Sequence, residues 1–365
     1  LWDRFAHWPA LRAQLGLIAL ALLLLVSALV PLDENTSTTD AGQASGQTVS
    51  RAERDNDLAL YDRVVERIRN GENYYDFILT EQRVGHYPVR PSVAVRLPTL
   101  AYIDAWLGES GQLAAALSVA ILLLVAWWRR IGEELGQGPF RVMMVCSLLL
   151  CAPLALNPYY FVLHDMQAGM LMALSFGLHR PGKWHASLAV AALAVAIREL
   201  ALPFVLLMGA MAFWRRDWKE GAAWSALVIA FAVALAVHSA FVAQHSLPMD
   251  PQSPPWLVMR GLSGWLSTVI KSCIFHDQPH WFTAPLVVLA IAGWAGWRSP
   301  AGTFGTFLYL GYGLTFMLAG RTNNFYWGTL VTPALFMGLA LAPRALWSLY
   351  AAAVPARASQ FALAK

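Results

Sequence analysis

The chain has 365 residues, 58% of them hydrophobic and 13% charged, with a net charge of +4. About a quarter of the residues of a soluble domain are charged, so this composition excludes an ordinary soluble protein and points to an all-α polytopic membrane protein. The basic residues sit in short clusters beside apolar runs, a pattern of membrane topology rather than of a nucleic-acid surface. The three cysteines, Cys146, Cys151 and Cys273, lack metal-ligand spacing and give no disulfide framework.

The first apolar run, 15–32, follows Arg4 and Arg12, which places the preceding segment in the cytoplasm. It is long enough to cross a core of about 30 Å and longer than the apolar part of a signal peptide, so it is expected to be retained. Asp33 and Glu34 close it, and a polar stretch, 35–50, follows. The next segment, running to residue 110, is the most polar part of the chain. Leu58, Tyr61, Val64, Val65 and Ile68 recur at helical spacing behind Asp55 and Asp57 as N-cap candidates, with Gly71 at the far end. A second short helix is expected over 74–83. After Pro88 and Pro91, Pro98 is placed to open a third, 98–107. The segment 33–110 is therefore read as a long extracytoplasmic first loop with amphipathic helices, inside one transmembrane domain covering 1–365.

Beyond it, apolar runs at 113–128, 140–156, 161–178, 222–244, 283–297, 303–320 and 330–342 alternate with basic clusters at Arg129, Lys183, Arg215, Arg298 and Arg344. The run 186–214 is ambiguous. One crossing would put Lys183 and Arg215 on opposite faces; two half-length helices hinged at Arg198 and Glu199 keep both inside. The second arrangement is preferred and makes about ten spans in all. A further helix, 256–273, is expected to lie along the outer surface. This topology gathers the first loop, His164, Asp165, Arg198, Glu199 and the turn 321–327 on one face. Acids and bases near an apolar layer are costly, and they point to function.

The residue types suit one chemistry. A carboxylate can take a proton from a hydroxyl, and arginines can hold a phosphate by bidentate contacts. One span followed by a long outer loop, with Asp57 four residues before Tyr61 on a helix that ends at Gly71, resembles the GT-C superfamily of glycosyltransferases. That group includes protein O-mannosyltransferases, aminoarabinose transferases and mycobacterial mannosyltransferases. The resemblance covers the first third of the chain best. It implies an enzyme that moves a hexosyl or pentosyl group from a polyprenyl-phosphate sugar to a hydroxyl acceptor on a glycan, lipid or protein. The reaction would invert the anomeric centre outside the cytoplasm, in an arrangement like that of a bacterial inner-membrane enzyme facing the periplasm.

On this reading Asp57 is the base. Arg96, Arg198, Arg90 and Arg321 hold the donor phosphate, and Tyr61, His164, Asp165, Glu199 and Tyr326 bind substrate or acceptor. Members of the group often carry their acid just after the first span, where Asp33 stands here, so Asp33 competes with Asp57. No cofactor is implied with certainty, and the residues leave a divalent metal open; two neighbouring ligands such as His164 and Asp165 do not make a metal site. Each choice has a plainer alternative. Asp57 can cap its helix, Arg96 can form an internal ion pair, Arg198 and Glu199 can pair at a hinge, Arg321 can anchor to headgroups, and His238 reads as a hydrogen-bonded core residue. A transporter or flippase of lipid-linked glycans is the rival function, although no internal repeat supports it.

Overall fold

The computed structural model describes residues 3–32, 56–136 and 138–354. Asp33, Glu34 and Asp55 lie outside them. The described residues are helical without any named strand. The helices begin with α1 (Ala10–Leu29), α2 (Asn56–Arg69), α3 (Tyr74–Val84), α4 (Thr99–Leu135), α5 (Pro139–Leu148) and α6 (Ala152–Ala155). They continue with α7 (His164–Leu178), α8 (His185–Ile197), α9 (Leu202–Trp214), α10 (Trp218–His245) and α11 (Gly261–Lys271). The last four are α12 (His280–Gly296), α13 (Pro300–Leu318), α14 (Thr332–Leu335) and α15 (Met337–Ala353).

Among the described residues, three stretches are long and apolar enough to cross a membrane: α1, Ser92–Leu135 (which contains α4) and α10. Leu15, Ile18, Leu22 and Leu25 of α1 all face outward, which water would penalise and lipid would not. The other apolar runs fold into pieces that fall short by length or hydropathy. The expected run 140–156 is broken into α5 and α6, and 330–342 is divided among a 3-10 segment, α14 and α15. Proline accounts for part of this. Pro139, Pro153 and Pro333 each stand at or near a helix start, where a missing N–H costs nothing.

The described residues divide into two compact units, each assembled from several parts of the chain. In the first (1–33, 123–153 and 257–365), α12 and α15 are the most intimate pair. A Cβ on Gly293 would stand 1.9 Å from the Gly338 carbonyl oxygen, and one on Gly338 would stand 1.9 Å from that of Ala290. These two glycines therefore let the backbones touch, as small residues do where helices pack in membranes. Trp294 fills the space beside them and donates to the Leu335 carbonyl at 2.9 Å.

The second unit (34–122 and 154–256) holds α2, α3, the start of α4 and α7–α10. Within it α7 packs on α8 and α9 on α10. The expected stripe of α2 is buried at Leu58, Val64 and Val65, joined by Leu60. Arg67 ties α2 to α3 by donating to Glu81 at 2.9 Å and lying over the Phe77 ring at 4.3 Å. Gly71 follows α2 at φ +88°, a conformation suited to glycine. The third loop helix and the following run are continuous in α4 except at Gly108, where φ 66° and ψ 180° interrupt the helix. That region of backbone space is essentially restricted to glycine.

Candidate functional site

Tyr61 is the hub of the polar residues in the second unit. It stands one helical turn after Asp57, so both lie on the same face of α2. Arg96 reaches the Tyr61 hydroxyl from the segment before α4, its Nε donating at 3.1 Å. His164, the first residue of α7, meets the Tyr61 ring edge-on, with centroids 4.8 Å apart. The charges of Asp57, Arg96 and Arg198 all act on the phenol. Burial pushes Tyr61 above its ordinary value against the opposing charge of Arg96, and Asp57 adds to the rise. The phenol therefore keeps its proton and remains a donor.

A chain of ion pairs runs away from this hub. Arg96 Nη1 faces Glu199 Oε1 at 3.5 Å. The same oxygen accepts a short hydrogen bond from Arg198 Nη1, and Arg198 Nε donates to Asp165 Oδ1 at 2.8 Å. The order is thus Tyr61, Arg96, Glu199, Arg198, Asp165. Local structure explains the placements. Asp165 sits in the first turn of α7, where the helix dipole favours an anion. Arg198 and Glu199 occupy the break between α8 and α9, at the hinge expected from the charges. Each of those helices has 13 residues, about 20 Å at 1.5 Å per residue, too short for a full core.

The links of this chain differ in strength. The Arg198 and Asp165 side chains are 1% and 2% exposed, whereas Arg96 and Glu199 are 17% and 23% exposed. Arg198 shares its charge with two carboxylates inside the fold, while Arg96 holds Glu199 at the limit of hydrogen-bonding distance. A small cavity of about 20 Å³ lies beside them, lined by Tyr61, Tyr74, Arg96, Asp104 and His164 among aliphatic side chains of α2, α3 and α4. It has room for about one water-sized group. His164 is 4% exposed, and neither of its ring nitrogens has a hydrogen-bond partner among the described residues. Asp104 Oδ2 is in the same condition.

Two further hydrogen bonds fix the arrangement. The Tyr74 hydroxyl donates to the Arg96 carbonyl at 2.5 Å. His238 of α10 lies 3.0 Å from both the Val95 carbonyl and the Tyr75 hydroxyl. A carbonyl only accepts, so His238 Nε2 carries the proton and Nδ1 accepts from Tyr75. His238 thus has the hydrogen-bonded core role read from the sequence, and it helps set the segment that carries Arg96.

The structure brings together Asp57, Tyr61, Arg96, His164, Asp165, Arg198 and Glu199. Arg90 is not among them. Its Nη2 donates to the Pro248 carbonyl at 2.9 Å, and its backbone joins the loop at Pro251 and Ser253. Arg321 and Tyr326 belong to the first unit. There the Arg321 Nε is buried without a hydrogen-bond partner among the described residues, and Tyr326 accepts from Asn324 Nδ2 at 3.1 Å. Sequence reasoning missed Asp104 and Tyr74. Asp104 carried a signal, an acid on the apolar face of a short helix beside Leu100 and Ala101. Among the described residues, no group of three or more His, Cys, Asp or Glu side chains is placed to hold a metal. The chain matches no family model, no curated protein and no solved structure.

Proposed function

We propose that this chain is a membrane glycosyltransferase that moves a sugar from a polyprenyl-phosphate donor to a hydroxyl acceptor. The reading rests on one observation: Tyr61 is surrounded by Asp57, Arg96, Arg198 and His164, drawn from four parts of the chain. In the proposed step the acceptor oxygen bonds to the anomeric carbon, and its proton passes to the Asp57 carboxylate. The bond from that carbon to the phosphate oxygen breaks, and the electron pair leaves with the phosphate. Arg96 offsets the growing charge on the leaving group, and Arg198 maintains the shape of the site through Asp165. The proposal includes ten crossings with the site on the outer face, as the basic clusters suggest, and an isoprenoid that enters from the bilayer. Arg90, which lies in the same unit as Tyr61, is assigned to contacts with the lipid headgroup.

The decisive experiment uses the full chain reconstituted in vesicles with labelled polyprenyl-phosphate sugars. Asp57→Asn keeps the side chain's size and most of its capping ability while removing the base. Transfer should fall by about 10²–10⁴-fold, with donor binding retained. Normal turnover in Asp57→Asn together with loss of turnover in Asp33→Asn would move the base to Asp33. Movement of donor across the bilayer without transfer would favour the flippase.

A further inference from the structure

We infer that Glu199 is the resident counter-ion of an anion pocket formed by Arg96, Tyr61 and His164, and that a phosphate enters by taking its place. The inference rests on the proposed use of a lipid-phosphate donor and names how that phosphate would be received. Three independent features carry it.

The first is the inequality of the two ion pairs made by Glu199. It lies against Arg198 through a short bond but faces Arg96 at only 3.5 Å. Losing the Arg96 contact leaves Glu199 paired, because Arg198 still holds it. Arg198 in turn keeps Asp165 at 2.8 Å. Of the two arginines, Arg96 is therefore the one that can give up its contact with Glu199 without leaving that buried charge bare, which would be costly. This narrows the sequence reading, in which both arginines held phosphate.

The second is His164. Its ring is enclosed, lines the cavity beside Arg96 and has no hydrogen-bond partner among the described residues. The nearby backbone at Val162 does not meet hydrogen-bonding geometry with it. A neutral imidazole has one N–H to give, and a buried donor without an acceptor is destabilising. An anionic oxygen in the cavity would accept that bond.

The third is size and donor count. The cavity, about 20 Å³, takes one water-sized group, which is the size of a single phosphate oxygen. Tyr61 uses its oxygen lone pair to accept from Arg96 Nε, so its own proton stays available. Arg96, the Tyr61 O–H and the His164 N–H make a three-donor cradle, and charge-assisted bonds of this kind are the strong ones.

The test measures binding of dodecyl phosphate and of inorganic phosphate to the purified full chain in detergent. Glu199→Gln removes the competing charge and leaves Arg198 paired with Asp165. It should tighten dodecyl phosphate binding about tenfold, and His164→Leu, of similar volume, should weaken it about tenfold. His164→Gln, which restores a donor, should recover part of the loss. Similar gains with both ligands would assign the pocket to phosphate alone, whereas a gain confined to dodecyl phosphate would assign it to a lipid headgroup; either supports the pocket. If the wild-type chain binds but Glu199→Gln binds no tighter, the displacement is wrong while the donor reading stands. If neither folded protein binds either ligand, both fail.

Discussion

Helix α7 has a charged centre at each end, and the two are built to different standards. At its start stand His164 and Asp165, in the cluster around Tyr61 and Arg198. Just past its end stands His179, whose Nε2 lies 2.7 Å from the wholly buried carboxylate of Glu220. That carboxylate also accepts from Arg215 Nη2 at 2.9 Å and from Trp224 Nε1 at 3.2 Å. The far centre joins the ends of α7 and α9 to the start of α10. There the anion sits at a helix N-terminus and the two bases at C-termini, as the dipoles favour. Its carboxylate oxygens are satisfied. The near centre has an ion pair at 3.5 Å, a histidine whose ring nitrogens have no hydrogen-bond partner among the described residues, and a water-sized gap. Burial and residue type are alike in the two centres. Incomplete hydrogen bonding distinguishes them, and the incomplete centre is the one with capacity for a ligand.

Mutation can break this comparison. The largest expected effect on stability is at the far centre. Glu220→Ala would strand His179, Arg215 and Trp224, and removing one partner of a buried pair costs about 3–5 kcal/mol; a thermal melt in detergent should show a marked drop. Asp165→Asn at the near centre should cost less, about 1.5–3 kcal/mol, because Glu199 still faces Arg198. Glu199→Gln should be mildest of the three, about 1 kcal/mol or less. If Glu199→Gln destabilises the chain as much as Glu220→Ala, the near centre is merely structural and the contrast collapses.

A carboxylate outside both centres sets the scale for an ordinary ion pair. Arg83 Nε donates to Asp250 Oδ1 at 2.7 Å, and this bond holds the Asp250 carboxyl below its usual value of 3.8. A depressed value in the folded chain means that the contribution is complete above about 3.8 and is lost as pH falls through the lower folded value. Acid titration of stability should therefore be less steep below about pH 4 in Arg83→Met than in the wild type. An unchanged acid limb would show that the pair adds nothing.

Much of the local structure was legible because it depends on neighbours in sequence. The α2 stripe of Leu58, Val64 and Val65, the end of that helix at Gly71 and the hinge at Arg198 and Glu199 follow from periodicity, glycine and charge. The partners of the hinge were not legible. Asp165 meets Arg198 across 33 residues of chain, and only the packing of α7 on α8 decides that contact. The unequal hold of Glu199 on its two arginines depends on small differences in side-chain placement, which composition does not encode. Hydropathy was a fair guide to α1 and α10, but it overestimated the length of runs that the backbone divides, as at 140–156 and 330–342.

The break at Gly108 has a consequence for how this chain can vary. An α-helix turns about 100° with each residue, so a continuous α4 would make every insertion in its long apolar part a rotation of Leu100, Ala101 and Asp104 against the cavity. At Gly108 that rotation has no helical path to follow. The short helix before Gly108 and the apolar helix after it are two parts with separate tolerances. Residues after 108 can shift in register while those before 108 keep their alignment with Tyr61.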